Sequence, residues 1–235
     1  MVTQPTLREM LGAGVHFGHK TSRWDPRMKK FIFTSKNGVH VINLEKTAEA
    51  LLEACEFLYK SASNGRNIVF VGTKKQAQEL VKKAANDCGC SSITERWLGG
   101  TLTNFNVILR AVKNLERMKL KVGSPDFEEM RKRDRVKMQK AIEKSERLVG
   151  GLLGLTAKPD ILILIGSHDE KNAVKEANKL SIPTVAIVDS NSNPEDIDYP
   201  IPANDDATKS ISLFADLFAK VIREGKAAGA AISKS

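Results

Sequence analysis

The 235-residue chain is poor in cysteine, and Cys55, Cys88 and Cys90 are an odd number without metal-finger spacing. The Cys88-Gly89-Cys90 pair has no second pair to complete a four-ligand site, so reduced thiols are expected. No run approaches the ~20 apolar residues needed to span a bilayer. The N-terminus shows neither an apolar signal core nor an Arg/Ser-rich transit segment. A soluble, cytoplasmic protein with no membrane partner is expected. Nucleotide motifs are missing too. Val71-Gly72-Thr73-Lys74 lacks the second glycine and the Lys-Ser/Thr ending of a P-loop, and it is no dinucleotide fingerprint. Ser167 lies in no nucleophile elbow, and His168-Asp169 has no evident nucleophile to serve. Neither an enzyme nor a small-molecule substrate is expected.

Positive charge is what the chain does have. The net charge is +9 and the pI near 9.4, which suggests a polyanionic partner. Its distribution says more than its total. Residues 1–43 hold seven Lys/Arg against two Asp/Glu, and residues 106–150 hold thirteen against seven. The remainder is slightly acidic. Two basic segments suit a surface that tracks a phosphate backbone.

Periodicity places those segments. A short helix over 6–13 and an irregular basic arm precede a hairpin, Phe31–Thr34 and Val39–Ile42, around Lys36-Asn37-Gly38. An amphipathic helix follows over 44–62. Unbroken apolar runs at 67–71, 160–165 and 184–188 predict buried parallel strands, with helices over 76–86 and 170–180 between strands. Ser92–Glu95 and Tyr199–Ile201 add short strands, and 207–224 a final helix. Five parallel strands with helices on both faces predict a flavodoxin-like doubly wound α/β sheet. From Asn106 the stripe Ile108, Ala111, Leu115, Met118 is answered by Met138, Ala141, Ser145, Leu148, Leu152. That pairing predicts an inserted antiparallel helical hairpin, a short coiled coil projecting from the domain. The expected layout is a basic arm and hairpin (1–43), a first α/β part (44–105), the insertion (106–150), a second α/β part (151–225) and a flexible tail (226–235).

Three places carry candidate chemistry. Arg96-Trp97-Leu98-Gly99-Gly100-Thr101-Leu102-Thr103-Asn104-Phe105 gathers a cation, an indole, hydroxyls and an amide around two glycines. It can hold a phosphate, stack on a base, or lock a loop to the core with Asn104 capping the next helix. The arm offers Arg23, Trp24, Arg27 and Lys29, cations beside an indole that can stack or pack. Lys74 stands at a strand-to-helix turn, and Arg110 and Lys113 on the first inserted helix. Asp205-Asp206 reads as a cap for the final helix. If the fold brings His16, Asp189, Asp205 and Asp206 together, they could hold a divalent ion such as zinc or magnesium, although no cofactor is required. Residues 189–206 hold six acids and no Lys or Arg, which reads as a protein-facing side.

Several literal strings resemble one family. The junction string looks like the signature of the bacterial-type small-subunit ribosomal protein S2 family. So do Ala13-Gly14-Val15-His16-Phe17-Gly18-His19, Arg23-Trp24-Asp25-Pro26-Arg27-Met28-Lys29 and Asn37-Gly38-Val39-His40-Val41-Ile42-Asn43-Leu44. Val71-Gly72-Thr73-Lys74, 182–189 and 201–207 follow in the family's order. The resemblance implies a non-enzymatic structural constituent of the small ribosomal subunit, with small-subunit rRNA as principal partner. It also implies late assembly near the head–body junction and help in docking ribosomal protein S1 for translation initiation. Under it, Arg23, Trp24, Arg27, Lys29, Lys74, Arg96, Trp97, Thr101, Asn104, Arg110 and Lys113 become candidates for rRNA binding. The residues alone leave open a small-molecule-binding α/β enzyme and an interaction adaptor built on the hairpin.

Overall fold

A computed structural model describes residues 4–232. A capping box between Thr6 and Glu9 starts α1 (Leu7–Gly12). The arm that follows is more ordered than expected. β1 (Phe17–Lys20), β2 (Ile32–Lys36) and β3 (Val39–Ile42) form an antiparallel sheet in the order β1-β3-β2. The β2–β3 turn has positive φ at both Asn37 and Gly38, the conformation a two-residue hairpin loop needs. β1 escaped the sequence reading because Phe17-Gly18-His19-Lys20 does not alternate apolar and polar. Its pairing with β3 supplies the definition.

The main body begins with α2 (Leu44–Ser63), whose N-terminal amides bond to Asn43 Oδ1. Then come β4 (Ile68–Val71), α3 (Lys75–Asp87) and β5 (Ser91–Ile93). The insertion is α4 (Phe105–Val122), α5 (Pro125–Glu129) and α6 (Lys132–Val149). The chain resumes with β6 (Ile161–Ile165), α7 (Lys171–Lys179), β7 (Thr184–Val188), β8 (Tyr199–Pro202) and α8 (Thr208–Ile232). The five-stranded sheet is wholly parallel, in the order β5-β4-β6-β7-β8. Numbered from its own first strand, that order is the flavodoxin-like 2-1-3-4-5.

Strand periodicity divides the core into two layers. Ile68, Phe70, Ile163, Ile165, Val185 and Ile187 face α2, α3 and α8. Val69, Val71, Leu162, Leu164, Ala186 and Val188 face the other way, toward Met28 of the arm, α4 and α7.

Two expectations change here. Ile108, Val112 and Leu115 of α4 are buried in that second layer, so half of α4 roofs the sheet instead of projecting. The inward positions are Val112 and Ile142, not Ala111 and Ala141, because the larger apolar side chain one residue on takes the buried face. Lys119 Nζ meets Glu146 Oε1 at 2.5 Å, each one turn from the end of its helix, so the pairing is staggered. The second change is the tail, expected flexible from Lys226 onward. α8 runs on to Ile232, while Ser233–Ser235 lie outside the described residues. Gly225 and Gly229 let it lie against α2, where a Cβ would stand 2.6 Å from Tyr59 O and 2.2 Å from Ser63 O. Among the described residues, no helix is long and apolar enough to cross a membrane.

Candidate nucleic-acid interface and the carboxylate cluster

The Arg96–Phe105 junction is built around a carboxylate from α7. Glu176 accepts from Trp97 Nε1 (3.0 Å), from the amides of Gly100 (2.8 Å), Leu102 (2.9 Å) and Thr103 (3.0 Å), and from Thr103 Oγ1 (3.1 Å). Burial alone would push its pKa up, but the donors, led by the Thr103 amide and the indole, hold it down at about 2. Gly100 takes φ +87°, which turns three amides onto one acid. Trp97 is 7% exposed and Thr101 3% exposed, with the Thr101 hydroxyl donating to Leu98 O. These two side chains order the loop and present nothing to solvent. Arg96 and Asn104 are exposed. Asn104 stands at the start of α4 without a capping side-chain bond. Glu176 is the residue that sequence reading missed. It sits seventy-odd positions away on a plain charged helix, and no local pattern marks it.

The arm keeps some cations free and spends others. Arg23 and Lys29 are exposed and enter no ion pair among the described residues, and the same holds for Arg96, Arg110 and Lys113. Arg27 is engaged in a two-pronged pair with Asp25, Nε–Oδ1 2.9 Å and Nη2–Oδ2 2.8 Å. Trp24 is half-buried with its ring 5.1 Å from that of His40.

Lys74 departs furthest from expectation. Its side chain is 13% exposed and its Nζ lies 2.6 Å from Asp205, 2.8 Å from Asp206 and 3.2 Å from Asp169. Burial would lower its pKa, but Asp205 and Asp206 more than offset this and raise it. An ammonium so enclosed is not offered to a phosphate, so the expected Lys74 contact is corrected. The cluster stands where β4 and β6 diverge, the crevice in which such sheets ordinarily bind ligands. Asp205 and Asp206 turn toward Lys74 and His19, and Asn204 Oδ1 accepts from the Asp206 and Ala207 amides just ahead of α8.

The histidine of this cluster is also corrected. His16 is turned away, packed on Phe17 with ring centroids 4.0 Å apart, and burial lowers its pKa. His19 takes the place expected for it. Its Nδ1 lies 3.1 Å from Asp189 Oδ1 and its Nε2 3.2 Å from Asp206 Oδ2. The Asp189 carboxylate beside it raises its pKa. Ligand atoms of His19, Asp189, Asp205 and Asp206 all lie within 4.8 Å of one another. Asp205 is 0% exposed, its Oδ2 has no hydrogen-bond partner among the described residues, and burial followed by Asp189 raises its pKa to about 7.

A doubly wound sheet whose crevice is filled by an internal ion cluster, and whose arm and insertion carry exposed cations, defines a structural α/β platform. Comparison with known proteins makes this specific. Residues 10–225 match the family described as Ribosomal protein S2. A protein of Francisella tularensis named "Small ribosomal subunit protein uS2" is 45% identical over 216 residues, covering 92% of this chain and 90% of its own length. Same-named proteins of Actinobacillus pleuropneumoniae (44% over 225 residues, 96% and 94% covered) and Treponema pallidum (43% over 219 residues, 93% and 75% covered) are similarly related. The chain belongs to the ribosomal protein S2 family, whose members are structural and not enzymes.

Proposed function

We propose that the protein holds small-subunit rRNA through the exposed cations of its arm, junction and first inserted helix, with the α/β body as a rigid support. As a family member it belongs in the small ribosomal subunit with its rRNA and proteins. The observation that carries the reading is the division of its cations. Arg23, Lys29, Arg96, Arg110 and Lys113 are exposed and enter no ion pair among the described residues, whereas Lys74 and Arg27 are occupied by acids. Each phosphate neutralised releases condensed counterions, so binding weakens steeply with salt. The shape of folded rRNA, not base sequence, is the feature recognised.

Two finer roles complete the proposal. Exposed Glu195, Asp196 and Asp198 form an acidic stretch suited to a protein partner, which we assign to docking of ribosomal protein S1. A divalent ion such as zinc or magnesium would take His19, Asp189, Asp205 and Asp206, sharing the last two with Lys74, and the Asp205 Oδ2 without a hydrogen-bond partner among the described residues supports it. Sedimentation of a tagged copy with small subunits, at low and high salt, tests the rRNA reading. Co-migration lost with salt or nuclease supports it, and migration as a free protein at both salts overturns it. Capture of S1 that survives nuclease tests the docking role. Metal analysis of the purified protein, against His19→Ala, tests the ion.

A further inference from the structure

We infer that a cavity beside the first turn of α7 is a binding site for the phosphate group of a nucleotide. It has a volume of about 510 Å³ and lies beyond the carboxyl ends of β6 and β7, one strand over from the Lys74 cluster. Sites of this kind in α/β sheets lie beyond those ends. Lys171, Val174, Lys175 and Asn178 line one wall, and their three- and four-residue spacing puts them on one face of α7.

Three observations point to an anion. First, Ser167 lines the cavity at 6% exposure, and its Oγ, buried just beneath the wall, has no hydrogen-bond partner among the described residues, so a small shift of this hydroxyl would let it donate to a bound acceptor. Second, Lys171 is aimed by a relay. The Asn191 carbonyl can only accept, so His168 Nδ1 carries the proton at 3.0 Å, and His168 Nε2 accepts from Lys171 Nζ at 3.4 Å. The ammonium keeps its remaining hydrogens for a ligand. Third, no side chain caps the N-terminus of α7, whose free amides favour negative charge. Two carboxylates also line the space. Asp25 is already taken by Arg27, which leaves Asp196 against Lys171 and Lys175. The volume exceeds a phosphate alone, and Val174 with Ile197 supplies an apolar wall for the rest of a nucleotide. The site is separate from the cations of the rRNA reading and stands whether or not that reading holds.

The test is titration of the purified full-length protein with adenosine monophosphate and with a short oligoribonucleotide. Three proteins are compared: wild type, Lys171→Ala/Lys175→Ala, and Lys82→Ala/Lys83→Ala. The last removes the same charge from α3, which packs on the opposite face of the sheet. The α7 variant is expected to weaken binding at least about tenfold, with the α3 variant close to wild type. Ser167→Ala is expected to weaken it less, at unchanged melting temperature. A selective loss for the mononucleotide identifies free nucleotide as the source, and a selective loss for the oligonucleotide alone identifies RNA. Equal effects of the α7 and α3 variants, or no binding of either probe, overturn the site.

Discussion

Lys74 and Lys113 are the same residue in opposite situations. Lys74 follows β4, beside the central strand β6, and is enclosed by three carboxylates that follow β6 and β8. Lys113 lies on α4, one residue past the buried Val112, and points to solvent. The first is part of the fold, and the second is available to a partner. The contrast teaches that net charge locates a binding surface only after the internally spent charges are subtracted. The basic arm and insertion keep most of their cations, while the sheet end consumes its own.

Removing one charge from each side should separate the two lysines most clearly. Lys74→Ala leaves Asp205 buried without its cation, and is expected to cost about 3 kcal/mol of stability, read by denaturant unfolding. Lys113→Ala in the same assay should be neutral. A mild Lys74 variant would show that the cluster tolerates an empty centre. Glu176→Gln comes next, with an expected loss of about 2 kcal/mol, because the carboxylate that gathers the junction amides is itself partly solvated.

The same residue gives a pH dependence. Its folded pKa lies near 2, below the ordinary 4.5, so its contribution is present above pH 4.5 and is lost as pH falls toward 2. Melting curves of wild type and Glu176→Gln should therefore converge in that window. Curves that stay parallel would remove the carboxylate from the account. On the partner side, Arg23→Ala/Lys29→Ala and Arg110→Ala/Lys113→Ala should leave the melting temperature unchanged. Each should reduce the salt slope of rRNA binding by roughly 0.7 to 0.9 per phosphate contact removed. The smallest measurable loss of stability is expected for Lys119→Ala, whose exposed pair with Glu146 should contribute under about 0.5 kcal/mol.

Much of the fold was legible in the chain. Ile161–Ile165 and Thr184–Val188 are unbroken apolar runs because strands covered on both faces have no solvent side to mark with polar residues. The Asn37-Gly38 hairpin was legible because few residues tolerate two consecutive positive φ values. β1 was not, since an edge strand of four mixed residues carries no period. The site was harder. The cations of the arm and of α4 are where the sequence put them, but nothing local distinguished His19 from His16, three residues apart in the same string. Nor could spacing show that Lys74 would meet acids more than ninety residues downstream.

The inventory and its local order are written in the chain: a parallel five-stranded sheet, two basic segments, and a motif string of the ribosomal protein S2 family. Those follow from short-range periodicity, backbone preference and residue identity. Which charges remain free was settled only on folding. Ion pairing depends on distances of a few ångströms between residues far apart in the chain, and only the folded sheet sets those distances.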